Sequence, residues 1–217
     1  MSKIKRGRPV DPETQLERKN QFINAAYELL HTKSYRNITI REIAELACTK
    51  SAMISYYFGG KQELFIALLQ REEGRRVQSL QAVLTAENPL KKFIMLATKR
   101  FSEDVAITRF ITDDIIHHDG PLRVQFINMV PKKIAKFLHL LIDQLKLKGI
   151  LRQDLDSKWA AFSLMNLIVM PFVDAFIRDN VWGISHAEVS SEEWANHIYT
   201  LFTVGCQEMN TKKGENQ

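Results

Sequence analysis

A stretch without acidic side chains, residues 47–61, carries the polar groups best suited to contact a nucleic acid. It holds two lysines and no Asp or Glu, and its other polar groups are hydroxyls; the set comprises Thr49, Lys50, Ser51, Ser55, Tyr56, Tyr57 and Lys61. A surface that faces phosphates should lack carboxylates and offer such hydrogen-bond donors. The composition therefore favours contact with a polyanion.

A second basic element lies at the amino terminus, where Arg6-Gly7-Arg8-Pro9 follows Lys3 and Lys5. Two arginines around a glycine fit a narrow A·T-rich minor groove, where the potential is most negative and a side chain on the middle residue would clash. A solvated basic tail is the alternative. Residues 1–61 carry 11 Lys and Arg against 6 Asp and Glu, or +5, whereas residues 62–217 carry 19 of each. This asymmetry favours a polyanion partner at one end of the chain.

The sequence lacks the signatures of several other chemistries. It contains no Gly-x-Ser-x-Gly, no His-Glu-x-x-His, no phosphate-binding glycine loop and no separated set of Cys and His ligands. His117-His118-Asp119 is a weak metal motif, because neighbouring helical side chains point about 100° apart and cannot easily share one ion. We therefore expect no metal, no cofactor and no enzymatic activity.

The cysteines and the amino-terminal residues indicate the cellular compartment of the protein. Two cysteines far apart, Cys48 and Cys206, make no disulfide framework, and no apolar segment follows the amino-terminal charges as in a signal peptide. No uncharged run is long enough to span a bilayer. We expect a cytoplasmic protein without a membrane partner.

The elements that must position these groups are helices. Apolar residues recur at helical spacing and predict an all-α fold of about nine helices. Asp11-Pro12 opens the first helix, and Thr39 with Glu42 forms a capping box for a short second one. A third runs from Ser51 to Phe58 and ends at Gly59-Gly60. Further helices are predicted from 61 to the low eighties and over 89–105, 107–118, 122–148 with a kink or break at Pro131, 157–178 and 191–209.

The second and third predicted helices form a helix-turn-helix, whose second helix can enter the major groove. Ile38-Thr39-Ile40-Arg41-Glu42-Ile43-Ala44, followed by Ser-Ala-Met-Ile-Ser-Tyr-Tyr-Phe-Gly-Gly-Lys-Gln-Glu-Leu-Phe at 51–65, resembles the DNA-binding domain of TetR-family transcriptional regulators. The resemblance covers roughly residues 13–66. The Arg-Gly-Arg-Pro segment resembles an extension that many members carry. Beyond residue 85 only the number and length of helices and the total size match.

The resemblance implies a role for each matching position. Thr39 would cap its helix and touch a phosphate, and Lys61 would pair with another. Tyr56 and Tyr57 would bond phosphates, while Arg6 and Arg8 would enter the minor groove. The recognition helix would begin with Lys50, Ser51, Ala52 and Met53, of which Ala52 and Met53 would contact a thymine methyl.

Two positions depart from the family pattern. Cys48 stands where the turn usually has glycine, and Lys50 where a Ser or Thr cap is usual. Thr49 or Ser51 is an alternative cap, so the register of base contacts stays open by about one residue.

The implied organisation is a basic flexible arm over 1–12, a DNA-binding domain over 13–66 with its helix-turn-helix at about 39–58, an effector-binding and dimerisation domain over 67–209, and a frayed tail over 210–217. The last two helices would dimerise. The helix predicted from Ser157 is apolar nearly all round and must be buried on several sides. Candidate interface residues are Ala160, Leu164, Leu167, Ile168, Phe172, Trp194, Ile198, Leu201 and Phe202.

A ligand pocket needs apolar surface with a few polar groups. Candidates that combine both, each near an apolar stripe, are Phe93, Arg100, Phe101, Phe110, Asn128, His139, Met165, Asn166, Met170 and Asp174. For each polar residue among them, a surface, capping or core role is the alternative.

The function expected from this sequence is that of a homodimeric transcriptional regulator. It would repress from a near-palindromic operator and be released by an unknown small-molecule effector. One alternative is an A·T-preferring architectural DNA-binding protein without an effector, and another is an enzyme in the helical domain.

Overall fold

The computed structural model describes residues 11–129 and 131–206, with the backbone alone at 75–79 and 81. Arg6 and Arg8 of the predicted arm, and the predicted tail over 210–217, lie outside the described residues. Within the described ranges every regular element is helical and there is no strand, so the all-α prediction is confirmed.

The first part of the described chain consists of four helices. They are α1 (Pro12–Leu30), α2 (Ile40–Leu46), α3 (Ser51–Phe58) and the long α4 (Lys61–Leu84), with a single 3₁₀ turn (Tyr35–Asn37) between α1 and α2. These bounds match the sequence-based ones closely because local signals set them. The Thr39–Glu42 capping box starts α2, and Gly59, at a φ of 90° that favours glycine, ends α3.

Eight further α-helices and one π-helical segment make up the rest. They are α5 (Pro89–Glu103), α6 (Val105–Arg109), the π-helical segment (Phe110–Ile116), α7 (Pro121–Met129), α8 (Pro131–Leu147), α9 (Ser157–Val173), α10 (Ala175–Asn180), α11 (His186–Val189) and α12 (Glu192–Cys206).

The predicted number of about nine helices is too low, because the described residues contain twelve α-helices. The predicted 122–148 helix corresponds to α7 and α8, which lie on either side of residue 130, outside the described residues. The predicted 157–178 helix contains Pro171 and breaks at Asp174, giving α9 and α10. The one-turn α11, capped by Ser185, was not predicted.

Two apolar cores hold these helices together. The first joins α1–α4 to α6, the π-helical segment and α7, through residues such as Phe22, Phe65 and Phe110. The second joins α5, α8, α9 and α12, through residues such as Leu138 and Leu164. The first core therefore packs the helix-turn-helix against α6, the π-helical segment and α7.

Candidate nucleic-acid interface and ligand cavity

The start of α2 is fixed by a reciprocal capping box. The backbone N–H of Glu42 donates to Thr39 Oγ1 at 3.2 Å, and the backbone N–H of Thr39 donates to Glu42 Oε2 at 2.8 Å. Lys33 also pairs with Glu42. The hydrogen bond from Lys33, followed by those from Thr39, lowers the pKa of Glu42 to about 2. Thr39 is exposed but its hydroxyl is already bonded to Glu42.

The turn between α2 and α3 needs a left-handed residue, and Cys48 supplies it with a φ of 51°. This conformation explains why glycine is the expected residue at that position. The turn places Lys50 at the N-cap of α3 without a capping hydrogen bond from its side chain. Helix α3 therefore begins at Ser51, with Lys50 rather than Thr49 or Ser51 at the N-cap position.

One face of α3 is anchored in the first core and the other is open. Ile54 is completely buried, and Phe58 packs edge-on against Phe22. Met53 and Tyr57 are partly buried beside this core. The open face presents Lys50, Ser51, Ala52, Ser55 and Tyr56. This convex, carboxylate-free helix face has the dimensions and donors that a major groove accepts.

Lys61 does not join that open face. Its Nζ donates to the backbone carbonyl of Tyr35 at 2.5 Å and lies 4.2 Å from the centre of the Tyr35 ring. Burial lowers the pKa of Lys61. A contact with phosphate would require Lys61 to leave these partners.

The π-helical segment connects this DNA-binding half to the rest of the protein. Asp114, whose side chain is only 5% exposed, accepts the backbone N–H of Tyr35 at 3.0 Å, and Arg36 lies 3.8 Å from it. Ile111 and Thr112 of the same segment line the cavity described next. π-helical turns are rare and are found frequently at functional sites. Sequence reasoning missed Asp114, although the two adjacent acids Asp113 and Asp114 between apolar residues were a usable signal.

A cavity of about 940 Å³ lies between α5, the π-helical segment, α8 and α9. Its wall is mainly apolar, and it brings together five of the predicted pocket residues, which are Phe93, Arg100, Phe101, His139 and Met165. It is at the upper end of the ~300–1,000 Å³ range of small-molecule sites. The arrangement can enclose a large, mainly apolar ligand.

The other predicted pocket residues lie elsewhere. Phe110 is buried in the first core against Tyr35 and Phe65. Asn128 accepts a hydrogen bond from Lys132, and Asn166 donates one to the carbonyl of Phe162. Met170 is 45% exposed, and Asp174 is an exposed residue between α9 and α10. Helical spacing alone did not reveal which of several apolar faces borders the cavity.

Several lining residues were not predicted. They are mostly apolar, including Trp159 and Phe162, but Lys158, Thr108 and Thr112 also border the cavity. The described residues contain no cluster of three or more side chains able to hold a metal ion. No helix within the described ranges is long and apolar enough to cross a membrane.

The predicted dimer residues fall into two groups. Most are buried inside the single chain and leave little surface for a partner; these are Ala160, Leu164, Ile168, Phe172, Ile198 and Phe202. Leu201 is 51% exposed, and Leu167 and Trp194 are partly exposed. Exposed apolar side chains occur instead at other positions of α9, α10 and α12, namely Trp159, Phe162, Met170, Phe176 and Val204.

Comparison with known proteins agrees with this architecture. A family model described as bacterial regulatory proteins, tetR family, matches residues 22–68, which include α2, the turn and α3. The sequence is 28% identical over 96 residues to the HTH-type transcriptional regulator BetI of Brucella canis, which is 42% of this chain and 48% of that protein. The match therefore spans about half of the length of that relative.

Two solved structures share the fold over most of the chain. The fatty acid degradation regulator FadR from Bacillus halodurans gives a TM-score of 0.73 at 20% identity, covering 93% of this chain and 100% of that one. FadR from Bacillus subtilis, in complex with stearoyl-CoA, gives 0.71 at 18% identity, covering 87% and 99%. With the helix-turn-helix and the family match together, residues 22–68 form a DNA-binding domain of the tetR family, and the chain shares its overall fold with these two regulators.

Proposed function

We propose that the protein binds a near-palindromic operator as a homodimer, represses transcription, and is released by a small molecule held in the cavity. The observation that carries this proposal is the open, carboxylate-free face of α3. The first core, in which Ile54 of α3 is buried, also contains Ile111 of the π-helical segment, and Ile111 lines the cavity. We expect it to act in the bacterial cytoplasm, on the nucleoid.

On the DNA side, Lys50, Ser51 and Ala52 would meet base edges, with Met53 at the rim of the contact. Tyr56 would donate to a phosphate, since its side chain is 70% exposed. Tyr57 and Thr39 would be secondary phosphate contacts because each is already engaged by neighbours. Lys61 would contribute only after leaving Tyr35. Residues 13–66 would be the DNA-binding domain and residues 67–209 the regulatory one.

The exposed apolar side chains of α9, α10 and α12 support dimerisation. Trp159 and Phe162 are 74% and 71% exposed, and Leu201 and Val204 are 51% and 65% exposed. Apolar groups of this size clustered on a surface mark protein–protein contacts. A two-fold pairing through α9 and α12 would use the same patch on both subunits and would place two copies of α3 on successive major grooves.

The cavity supports control by an effector, which an architectural DNA-binding protein would not need. A ligand that binds one conformer better shifts the population towards it, so an effector would favour an arrangement of the two α3 helices that no longer fits the operator. The apolar wall favours a molecule with a long hydrocarbon part. A long-chain acyl thioester is one such class, because FadR from Bacillus subtilis, which shares the fold, binds stearoyl-CoA.

Selection of bound fragments from random DNA tests the operator proposal. The expected result is an enriched two-fold symmetric sequence whose affinity falls steeply with salt. The double variant Arg6→Ala with Arg8→Ala should retain the palindrome and lose affinity mainly for A·T-rich flanks. Enrichment of A·T-rich DNA without symmetry would instead support an architectural protein, and unchanged affinity for the flanks in the double variant would remove the arm from the proposal.

A further inference from the structure

Part of the cavity wall is also part of the outer surface of the molecule. Trp159 and Phe162 of α9 line the cavity, and they are 74% and 71% exposed. Val173, at the end of the same helix, lines it as well and is 39% exposed. On α8, the exposed residues Pro131 and Ala135 border the same cavity. Side chains that line a cavity and remain so exposed lie at its opening, so the cavity opens between α8 and α9.

The opening runs along most of α9. Wall residues of this helix extend from Lys158 to Val173, which corresponds to about 22 Å at 1.5 Å per residue. Two polar residues of the wall, Lys158 and His139, lie at the end where α9 begins. A hydrogen bond from Ser157 to Asp143 places this end beside the last turns of α8. The other wall residues of α9 are apolar, so an apolar ligand held by one chain alone would keep one side against water, which is unfavourable.

The apolar edge of the opening continues into the surface proposed for dimerisation. Met170 of α9 and Phe176 of α10 are 45% and 74% exposed, and Leu201 and Val204 of α12 are 51% and 65% exposed. Helices α9 and α12 share the second core, so these side chains lie on neighbouring elements. Together with the apolar α9 side chains at the opening, they expose on the order of 800 Å². Each partner buries about 800 Å² in a standard protein–protein interface.

A second copy of this chain is the occupant that the surface favours. A two-fold interface uses the same patch on both subunits, so the apolar edge of one opening would meet apolar side chains of the other copy. The carboxyl-terminal residues 207–217 are a weaker candidate, because Met209 is their only large apolar residue. They offer too little apolar surface to cover an opening of this length.

We propose that the second subunit completes the effector cavity: apolar side chains of α9 and α12 of one copy close the opening between α8 and α9 of the other. This inference rests on the proposed function, which assigns the cavity to an effector and the α9–α12 surface to a dimer. Coupling between two binding events is reciprocal, so an effector that needs the closed cavity must also tighten the dimer. The effector would then act directly on the contact that sets the relative position of the two α3 helices.

Sedimentation equilibrium of the full chain tests whether the opening lies in the dimer interface. Phe162→Glu places a charge at the opening, at a side chain exposed enough for the chain to fold. The substitution occurs twice in a two-fold dimer, so the dimer Kd should rise by about 100-fold or more. Val124→Glu makes the same kind of change on α7, at a residue that is 60% exposed and outside the cavity wall, and should leave the Kd unchanged.

A second measurement tests the coupling without altering the cavity. Leu201→Ala weakens the dimer from α12, outside the cavity wall, and so brings dissociation into a measurable range. The probe is 1-dodecanol, an uncharged chain whose binding is first measured by titration calorimetry. Saturating 1-dodecanol should lower the dimer Kd of Leu201→Ala by about 10-fold or more.

The possible results separate this inference from the proposed function. Equal dimer Kd values for Phe162→Glu and Val124→Glu would overturn the inference and leave the homodimer and the effector cavity in place. So would a dimer Kd that 1-dodecanol does not change although it binds, because the cavity would then be complete within one chain. An unaltered protein that is monomeric, or that does not bind 1-dodecanol, would overturn the inference together with the proposed homodimer or the proposed apolar effector, respectively.

Discussion

Replacement of Asp114 tests whether the π-helical segment holds the DNA-binding half in place. Asp114 is buried and accepts the backbone N–H of Tyr35 at 3.0 Å. Asp114→Ala removes a charge-assisted hydrogen bond and leaves a backbone donor without its acceptor, which costs about 2–3 kcal/mol. For a chain of this size, that cost corresponds to a fall in melting temperature of roughly 4–12 °C.

Two companion variants identify which contact of Asp114 matters. Asp114→Asn keeps an acceptor for Tyr35 and should cost about 1 kcal/mol. Arg36→Ala removes only the contact at 3.8 Å, whose arginine side chain is 57% exposed, and should cost less than about 1 kcal/mol. Urea and thermal unfolding measure all three. If Arg36→Ala is as costly as Asp114→Ala, or if Asp114→Ala is neutral, the bond to the Tyr35 backbone is not the connection inferred here.

Three other predictions concern the helix-turn-helix. Cys48→Gly should raise stability by about 1 kcal/mol and the melting temperature by roughly 2–4 °C, because glycine adopts the φ of 51° without steric cost; Cys48→Ala should give no such gain. Tyr56→Phe should leave the melting temperature unchanged, because the side chain is 70% exposed. It should weaken operator binding about 2- to 10-fold in a gel-shift titration. Equal operator affinity of the variant and the unaltered protein would exclude the phosphate contact. Glu42→Gln should destabilise the protein at neutral pH, because the pKa of Glu42 in the folded state is lowered to about 2 from 4.5. The stabilisation by the ionised carboxylate is present above pH 4.5 and is lost as the pH falls towards 2, so the melting temperatures of the two proteins should converge at low pH. A difference in melting temperature that does not depend on pH would contradict the prediction.

The sequence predicted best the features that depend on neighbouring residues. The capping box at Thr39 and Glu42 and the glycine at residue 59 fix the bounds of α2 and α3 through contacts within one helical turn. Family resemblance also identified Cys48 as unusual, and its left-handed conformation supplies the physical reason.

Features that depend on tertiary packing were predicted less well. Helix α9 is apolar nearly all round, and its faces border the second core, the cavity and solvent, so periodicity could not assign Leu164 to the core or Phe162 to the exposed surface. The bond between Asp114 and Tyr35 joins residues 79 positions apart, and no local pattern encodes it. Similarly, Arg100 on α5 pairs with Glu72 of α4, 28 positions earlier in the chain.

The most direct test of DNA reading by α3 is to place a carboxylate on its open face. Ala52 is exposed in the first turn of α3, where an acid is compatible with the helix dipole, so Ala52→Asp should fold normally. Ala82→Asp makes the same change at an exposed position of α4. In titrations of the selected operator, the account predicts that Ala52→Asp weakens binding by ~10-fold or more while Ala82→Asp binds like the unaltered protein. Equal operator affinity for both variants would contradict the claim that α3 reads the DNA.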